Sequence, residues 1–130
     1  MSIKLSIISL NYNRLKFTEE HIENVLSTVD VDCEFIIVSN YDGGKSGEVR
    51  KYIKTYKNKK NSHVKRIVKV LNNKNYGVAG GRNSGLVISK APYKMVIDDD
   101  ILLPEKWASK IIYLLEKVDQ IGVAGYCVEK

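Results

Sequence analysis

A chain of 130 residues has room for one domain with a real core and little more. Its apolar fraction of 44% and charged fraction of 28% are those of a folded globular protein and exclude a disordered chain. Twenty-one Lys and Arg against 15 Asp and Glu leave a net charge of +6, which favours an anionic partner without choosing among a phosphate-bearing ligand, nucleic acid and an acidic membrane surface.

No apolar run approaches the roughly 20 residues that span a bilayer, and the N-terminus lacks the apolar core of a signal peptide. A cytoplasmic location is expected, with a peripheral position at the inner face of the membrane left open. Cys33 and Cys127 are solitary, without the close pairing of a zinc or redox motif, and read as reduced structural thiols.

Residues 4–10, with Leu5, Ile7, Ile8 and Leu10, read as a central strand that stops at Asn11-Tyr12-Asn13-Arg14. Thr18 is a plausible N-cap for a helix with Glu19 and Glu20 in its first turn and Ile22, Val25, Leu26 and Val29 on one face. A second strand over 35–38 runs into Ser39-Asn40-Tyr41-Asp42-Gly43-Gly44, a loop that lets backbone approach a ligand. Val49, Tyr52, Ile53 and Tyr56 then keep helical spacing, and 64–70 makes a third strand. The basic stretch 51–69, with Lys57, Lys59, Lys60, Lys65 and Arg66, is better explained as a solvated helix end than as a binding patch, so no nucleic-acid partner is expected.

Residues 72–85 begin too rich in Gly and Asn for regular structure, but from about Val78 a helix can form with Leu86, Val87 and Ile88 as its buried end. Ala79, Gly80 and Gly81 allow close packing beneath a ligand, and Arg82 is suited to a phosphate. Neither the dinucleotide fingerprint nor the P-loop pattern is matched.

Met95, Val96 and Ile97 read as a strand buried on both faces, ending in Asp98, Asp99 and Asp100. If extended geometry persists, Asp98 and Asp100 point to one side and Asp99 to the other, and two carboxylates at a strand's carboxyl end suit a hard divalent cation. The alternative is a helix N-cap cluster before Pro104. Pro104 starts a helix whose Trp107, Ile111, Leu114, Leu115 and Val118 share a face, and 121–128 reads as a last strand. That strand has nothing after it to cover its edge, so a continuation or a second copy in a homo-oligomer is expected there. Strands alternating with helices imply right-handed crossovers and one α/β domain over 1–130: a mainly parallel, Rossmann-like sheet with helices on both faces.

The ordered set Ser6-Ile7-Ile8, Asn11-Tyr12-Asn13-Arg14, Glu34-Phe35-Ile36-Ile37-Val38, Asn75-Tyr76-Gly77-Val78-Ala79-Gly80-Gly81-Arg82-Asn83 and Asp98-Asp99-Asp100 with Leu103-Pro104 resembles the family 2 glycosyltransferases of the GT-A fold. The resemblance corresponds to the amino-terminal, nucleotide-sugar-binding half of such a domain. It implies a D-x-D motif met by Asp98 and Asp100. The last Asp would hold Mn²⁺ or Mg²⁺, and the first would lie near the ribose and sugar.

The implied ligand is a nucleoside diphosphate sugar, often a UDP-sugar, with its base near Asn11, Tyr12, Asn13 and Arg14. Tyr12 is expected either to cover a base face or to pack the loop, with Arg14 or Arg82 near the phosphates. Ser39, Asn40, Gly80, Arg82, Asn83 and Asp99 complete the expected substrate-binding set. One departure stands out: the family's usual Asp after the second strand, which reads the base, is replaced by Ser39-Asn40. Asn40 has both a donor and an acceptor to offer a base edge.

The family places its general base and acceptor surface beyond this chain, so no catalytic residue is assigned. Transfer by the chain alone is not expected, and the acceptor class (glycan, lipid-linked sugar or protein) is not readable. A noncatalytic nucleotide-sugar-binding module and a nucleotidyltransferase remain alternatives. The latter would carry a glycine- and basic-rich loop where this chain has Asn11-Tyr12-Asn13-Arg14.

Overall fold

Strands that are apolar on both faces must be sandwiched, and helices with one apolar stripe supply the covers. The computed structural model, which describes residues 2–57 and 61–125, realises this as β1 (Leu5–Asn11), α1 (Leu15–Thr28), β2 (Cys33–Ser39), α2 (Ser46–Thr55), β3 (Val64–Leu71), α3 (Gly77–Leu86), β4 (Tyr93–Asp98) and α4 (Trp107–Lys117). The four strands form one parallel sheet in the order β3-β2-β1-β4. In register, Leu5 sits between Cys33 and Tyr93 and Leu10 between Val38 and Asp98.

One face of the sheet, with Leu5, Ile7, Phe35, Ile37 and Ile97, packs against Ile22, Val25 and Leu26 of α1, Val49 and Ile53 of α2, and Trp107, Ala108 and Ile112 of α4. The other face, with Ile8, Leu10, Ile36 and Val38, meets Leu86 of α3. The helices therefore lie on both faces, as the alternation of elements requires. The helical face of α1 also stands as the spacing gives it, since Ile22, Val25, Leu26 and Val29 are all buried.

Several local expectations are corrected. Helix α1 begins at Leu15 with Arg14 at the N-cap, so Thr18 is a buried residue inside the helix rather than its cap. Among the described residues strand β4 lies at the sheet edge and is not covered on both faces: it alternates, with Ile97 buried and Val96 42% exposed. Helix α3 does not bury Val87 and Ile88, which are exposed. Its Gly81 and Gly85 lie on the sheet instead. A methyl at Gly85 would stand 2.5 Å from Ile8 Cγ2 and 3.1 Å from Val38 Cγ2, so only glycine allows this approach.

Helix α4 starts at Trp107 after Lys106 in the left-handed region (φ 61°), not at Pro104. Its buried face is Trp107, Ala108 and Ile112, while Leu114 and Val118 are exposed. The last expected strand is not formed over 121–125, and its remainder, 126–128 with Cys127, lies outside the described residues, as do Lys59 and Lys60. Cys33 is a buried free thiol, and burial pushes it up to about 12. Among the described residues no helix is long and apolar enough to cross a membrane.

Candidate functional site

The strand order places a topological switch between β1 and β4: the chain builds outward from β1 through β2 to β3, then returns to the other side of β1. In open α/β sheets the crevice at the carboxyl end of such a switch takes ligands. A cavity of about 320 Å³ opens there, lined by Leu10, Tyr12, Asn13, Arg14, Val78, Asp98 and Asp99. A larger hollow of about 580 Å³ runs along β4 and α4, but Met95, Ile97, Trp107, Ile111 and Leu115 make its wall mostly apolar. Charged side chains make up much of the smaller cavity's wall, with Arg14, Asp98 and Asp99 among its lining, whereas in the larger one Arg82, Lys94 and Asp98 are a minority.

The end of β1 turns sharply because Asn13 adopts φ 60°, a conformation asparagine tolerates. The turn is followed by Arg14, whose guanidinium lies 5.3 Å from the Phe17 ring centroid and reaches Asp99 Oδ1 and, at 3.5 Å, Asp100 Oδ2. Arg82 on α3, which lines the larger hollow, donates from Nη2 to Asp98 Oδ1 at 2.9 Å. Asp99 is buried, and its Oδ2 accepts from the Tyr12 amide at 3.3 Å. Burial raises its carboxyl above the ordinary value, with Tyr12 N–H and Arg14 pulling the other way.

Strand β4 ends at Asp98, and Asp99 and Asp100 form a turn, so the extended alternation does not carry beyond the first carboxylate. Asp99 is the carboxylate most firmly held. The side chains of Asp98 and Asp100 stay 47% and 42% exposed and open to a ligand. The reading of the triplet as a helix cap fails, since α4 has Lys106 at its N-cap and no side-chain cap bond.

Tyr12 is fixed at its far end by donating its hydroxyl to Asp42 Oδ2. Asp42 Oδ1 in turn accepts from Ser46 Oγ at 2.7 Å and Gly44 N at 3.0 Å. Chiefly through the Tyr12 bond, then Ser46 and Gly44, the Asp42 carboxyl is held down at about 2. The same bond raises the Tyr12 phenol. Sequence reasoning did not single out Asp42. The signal was the Asp-Gly-Gly turn with Ser46 four residues on.

Beneath the cavity the two strand ends carry buried polar side chains that are only partly satisfied. Asn11 Nδ2 donates to Ser9 O, Ser9 Oγ and Val38 O, while Asn11 Oδ1 has no partner. Ser39 Oγ, Asn13 Oδ1 and Arg82 Nε are likewise buried without partners, and Thr18 Oγ1 is the one other such atom among the described residues. Asn40 is buried and bonded to the scaffold: its Nδ2 donates to Gly77 O at 3.1 Å and its Oδ1 accepts from Asn72 Nδ2 at 3.0 Å. Gly80 packs against Tyr76, and Asn83 is exposed on α3.

The segment after the acidic turn is clamped by a polar stripe on α1 and the residues after it. His21, fully buried, donates from Nδ1 to Ile101 O at 2.9 Å, which leaves Nε2 to accept from Ser9 Oγ at 2.8 Å. Burial lowers its pKa and keeps the ring neutral. Asn24 pairs with both backbone groups of Leu103 (2.7 and 3.0 Å), Thr28 Oγ1 accepts from Trp107 Nε1 at 2.8 Å, and Asp30 Oδ1 accepts from Ser109 N at 2.9 Å. These partners lie about 80 residues away in sequence and leave no local pattern to read.

Comparison with known proteins places this geometry. A profile described as "Glycosyl transferase family 2" matches residues 6–129. The chain is 31% identical over 112 residues to the uncharacterized glycosyltransferase MJ1057 of Methanocaldococcus jannaschii, covering 85% of this chain and 37% of that protein. It is 25% identical over 126 residues to the glycosyltransferase GlyG of Streptococcus pneumoniae, covering 96% and 39%. The chain thus spans well under half the length of these relatives.

Among solved structures, the fold superposes on the mannosyltransferase PcManGT of Pyrobaculum calidifontis in complex with GDP-Man and Mn²⁺ with a TM-score of 0.67 at 20% identity, over 90% of this chain and 34% of that one. It superposes on S. aureus TarS 1-349 in complex with UDP-GlcNAc with a TM-score of 0.68 at 16% identity, over 95% and 37%. The parallel sheet flanked by helices is the GT-A architecture of these neighbours, and the chain belongs to glycosyl transferase family 2.

Proposed function

We propose that the carboxyl edge of β1 and β4 binds a nucleoside diphosphate sugar, of which a UDP-sugar is the leading candidate, and that in the whole protein this sugar is transferred to an acceptor. The observation that carries the reading is a cavity at the sheet's switch point lined by Arg14, Asp98 and Asp99, with Arg82 and Asp100 joined to it by ion pairs to Asp98 and Arg14. The two neighbours complexed with GDP-Man and UDP-GlcNAc support the ligand class. Membership of a glycosyl transferase family favours sugar transfer over nucleotidyl transfer.

A divalent cation fits the donor set. Among the described residues no three His, Cys, Asp or Glu side chains form a cage. A Mg²⁺ or Mn²⁺ site completed by substrate phosphates needs only one or two carboxylates, and the half-exposed Asp98 and Asp100 supply those. Bound there, the ion would act as a Lewis acid toward a leaving diphosphate.

The chain's own groups have separate tasks. Tyr12, pinned by Asp42, offers a ring face to a base. Arg14 keeps the buried Asp99 paired, and the Asn24 and His21 bonds hold the acidic turn in place. No general base and no acceptor surface are assigned among the described residues.

A thermal-shift panel of UDP, GDP, ADP and CDP, each with Mn²⁺ and with chelator, tests the reading. A rise in Tm with UDP and Mn²⁺ that vanishes in chelator is expected. No shift with any nucleotide would overturn it.

A further inference from the structure

The two arginines of the site are not equivalent. Arg14 serves Asp99, whose side chain is 4% exposed, and a buried carboxylate that loses its cation is left with an uncompensated charge. Arg82 serves Asp98, and both side chains are partly open to solvent, 34% and 47% exposed. A pair of that kind contributes little and opens easily. Arg82 also keeps its Nε buried without a partner, so Asp98 satisfies only part of the fork. Asp100 is held least, by Arg14 Nη1 at 3.5 Å.

Three carboxylates against two guanidiniums leave the site with one excess negative charge, which opposes a diphosphate. Resting on the functional reading above, we propose that Arg82 is an exchange residue: it neutralises Asp98 in the free protein and passes to the diphosphate when a divalent cation takes its place on the carboxylate. Arg14 remains on Asp99 throughout. One guanidinium then competes with the metal and cooperates with the nucleotide, which makes metal and nucleotide binding mutually reinforcing.

The exchange requires effects of opposite sign from one substitution. Calorimetry with MnCl₂ alone, and with UDP in saturating Mn²⁺, is run on the wild-type chain, Arg82→Gln and Arg82→Lys. Arg82→Gln should bind Mn²⁺ alone about threefold more tightly, because a competing surface cation is gone. It should bind UDP about tenfold more weakly, because a charge-assisted fork to phosphate is lost. Arg82→Lys should leave Mn²⁺ affinity near wild type and weaken UDP by less. If wild type binds both ligands and Arg82→Gln binds Mn²⁺ no better, the exchange is wrong and the functional reading stands. If wild type binds neither, both fall.

Discussion

The same two central strands carry a polar cluster at each end, and the clusters are built oppositely. At the amino end, buried Glu34 accepts from Ser6 Oγ (2.5 Å), Lys90 N (2.6 Å) and Arg66 Nε and Nη2 (3.1 and 2.5 Å), and Ser6 Oγ accepts from Ala91 N at 3.0 Å. At the carboxyl end, Asn11 Oδ1, Asn13 Oδ1, Ser39 Oγ and Arg82 Nε are buried with no partner, beside Asp98 and Asp100 with half-exposed carboxylates. A buried polar group that serves the fold is satisfied by the fold, whereas one left unsatisfied is available to something else. The closed cluster holds β1, β2, β3 and the approach to β4 together, and the open one is the binding edge.

The sharpest way to break the contrast is to attack the closed cluster. Glu34→Ala leaves Arg66, Ser6 and Lys90 N–H without their acceptor and should cost about 3 kcal/mol by urea denaturation. UDP binding by the fraction that remains folded should be unchanged. Gly85→Ala, which drives a methyl into Ile8 and Val38, should cost about 2 kcal/mol by the same measurement.

Acid should find the closed cluster too. Burial alone would raise the Glu34 carboxyl, but the bonds from Ser6, Lys90 N and Arg66 prevail and hold it below its ordinary 4.5. Its contribution is therefore fully present above pH 4.5 and is lost as pH falls through the lower folded value. Between pH 5 and pH 3, wild-type Tm should fall more than that of Glu34→Gln.

At the open end the effects on stability are smaller and those on binding larger. Asn24→Ala removes both bonds to Leu103 and should cost about 1 kcal/mol while weakening Mn²⁺-dependent UDP binding severalfold. Thr28→Val, which loosens the same clamp at Trp107, should cost a similar amount and leave UDP affinity alone. Tyr12→Phe, which frees the ring from Asp42 in an exposed setting, should change Tm least of all, and a modest loss of UDP affinity by calorimetry is expected.

Much of the fold was legible because it depends on local period. The stripe Ile22, Val25, Leu26 and Val29 is buried as its spacing requires. What was misread depends on neighbours that the period does not reveal. Val96 looks like a core residue but is 42% exposed because among the described residues β4 lies at the sheet edge, a matter of strand order. Val87 and Ile88 look like the packing face of α3, yet Gly81 and Gly85 do that packing, by having no side chain.

The site divides the same way. Tyr12, Asn13, Arg14, Asp98 and Asp99 were found by motif and do line one cavity. Asn40, expected to offer itself to a base, also bonds Gly77 and Asn72 in the scaffold. His21 and Asn24 were passed over because their roles are set by partners across the fold, whereas Asp42 had a local signal in its turn with Gly44 and Ser46.

The contrast between the two ends is tested most directly by titrating the ¹⁵N-labelled chain with UDP and Mg²⁺ and following each backbone amide. Amides of Tyr12, Asn13, Arg14, Val78, Asp98, Asp99 and Asp100 should shift together and return in chelator, while those of Ser6, Glu34, Arg66 and Lys90 stay in place. Shifts confined to the apolar hollow along β4 and α4, or none at all, would contradict the account.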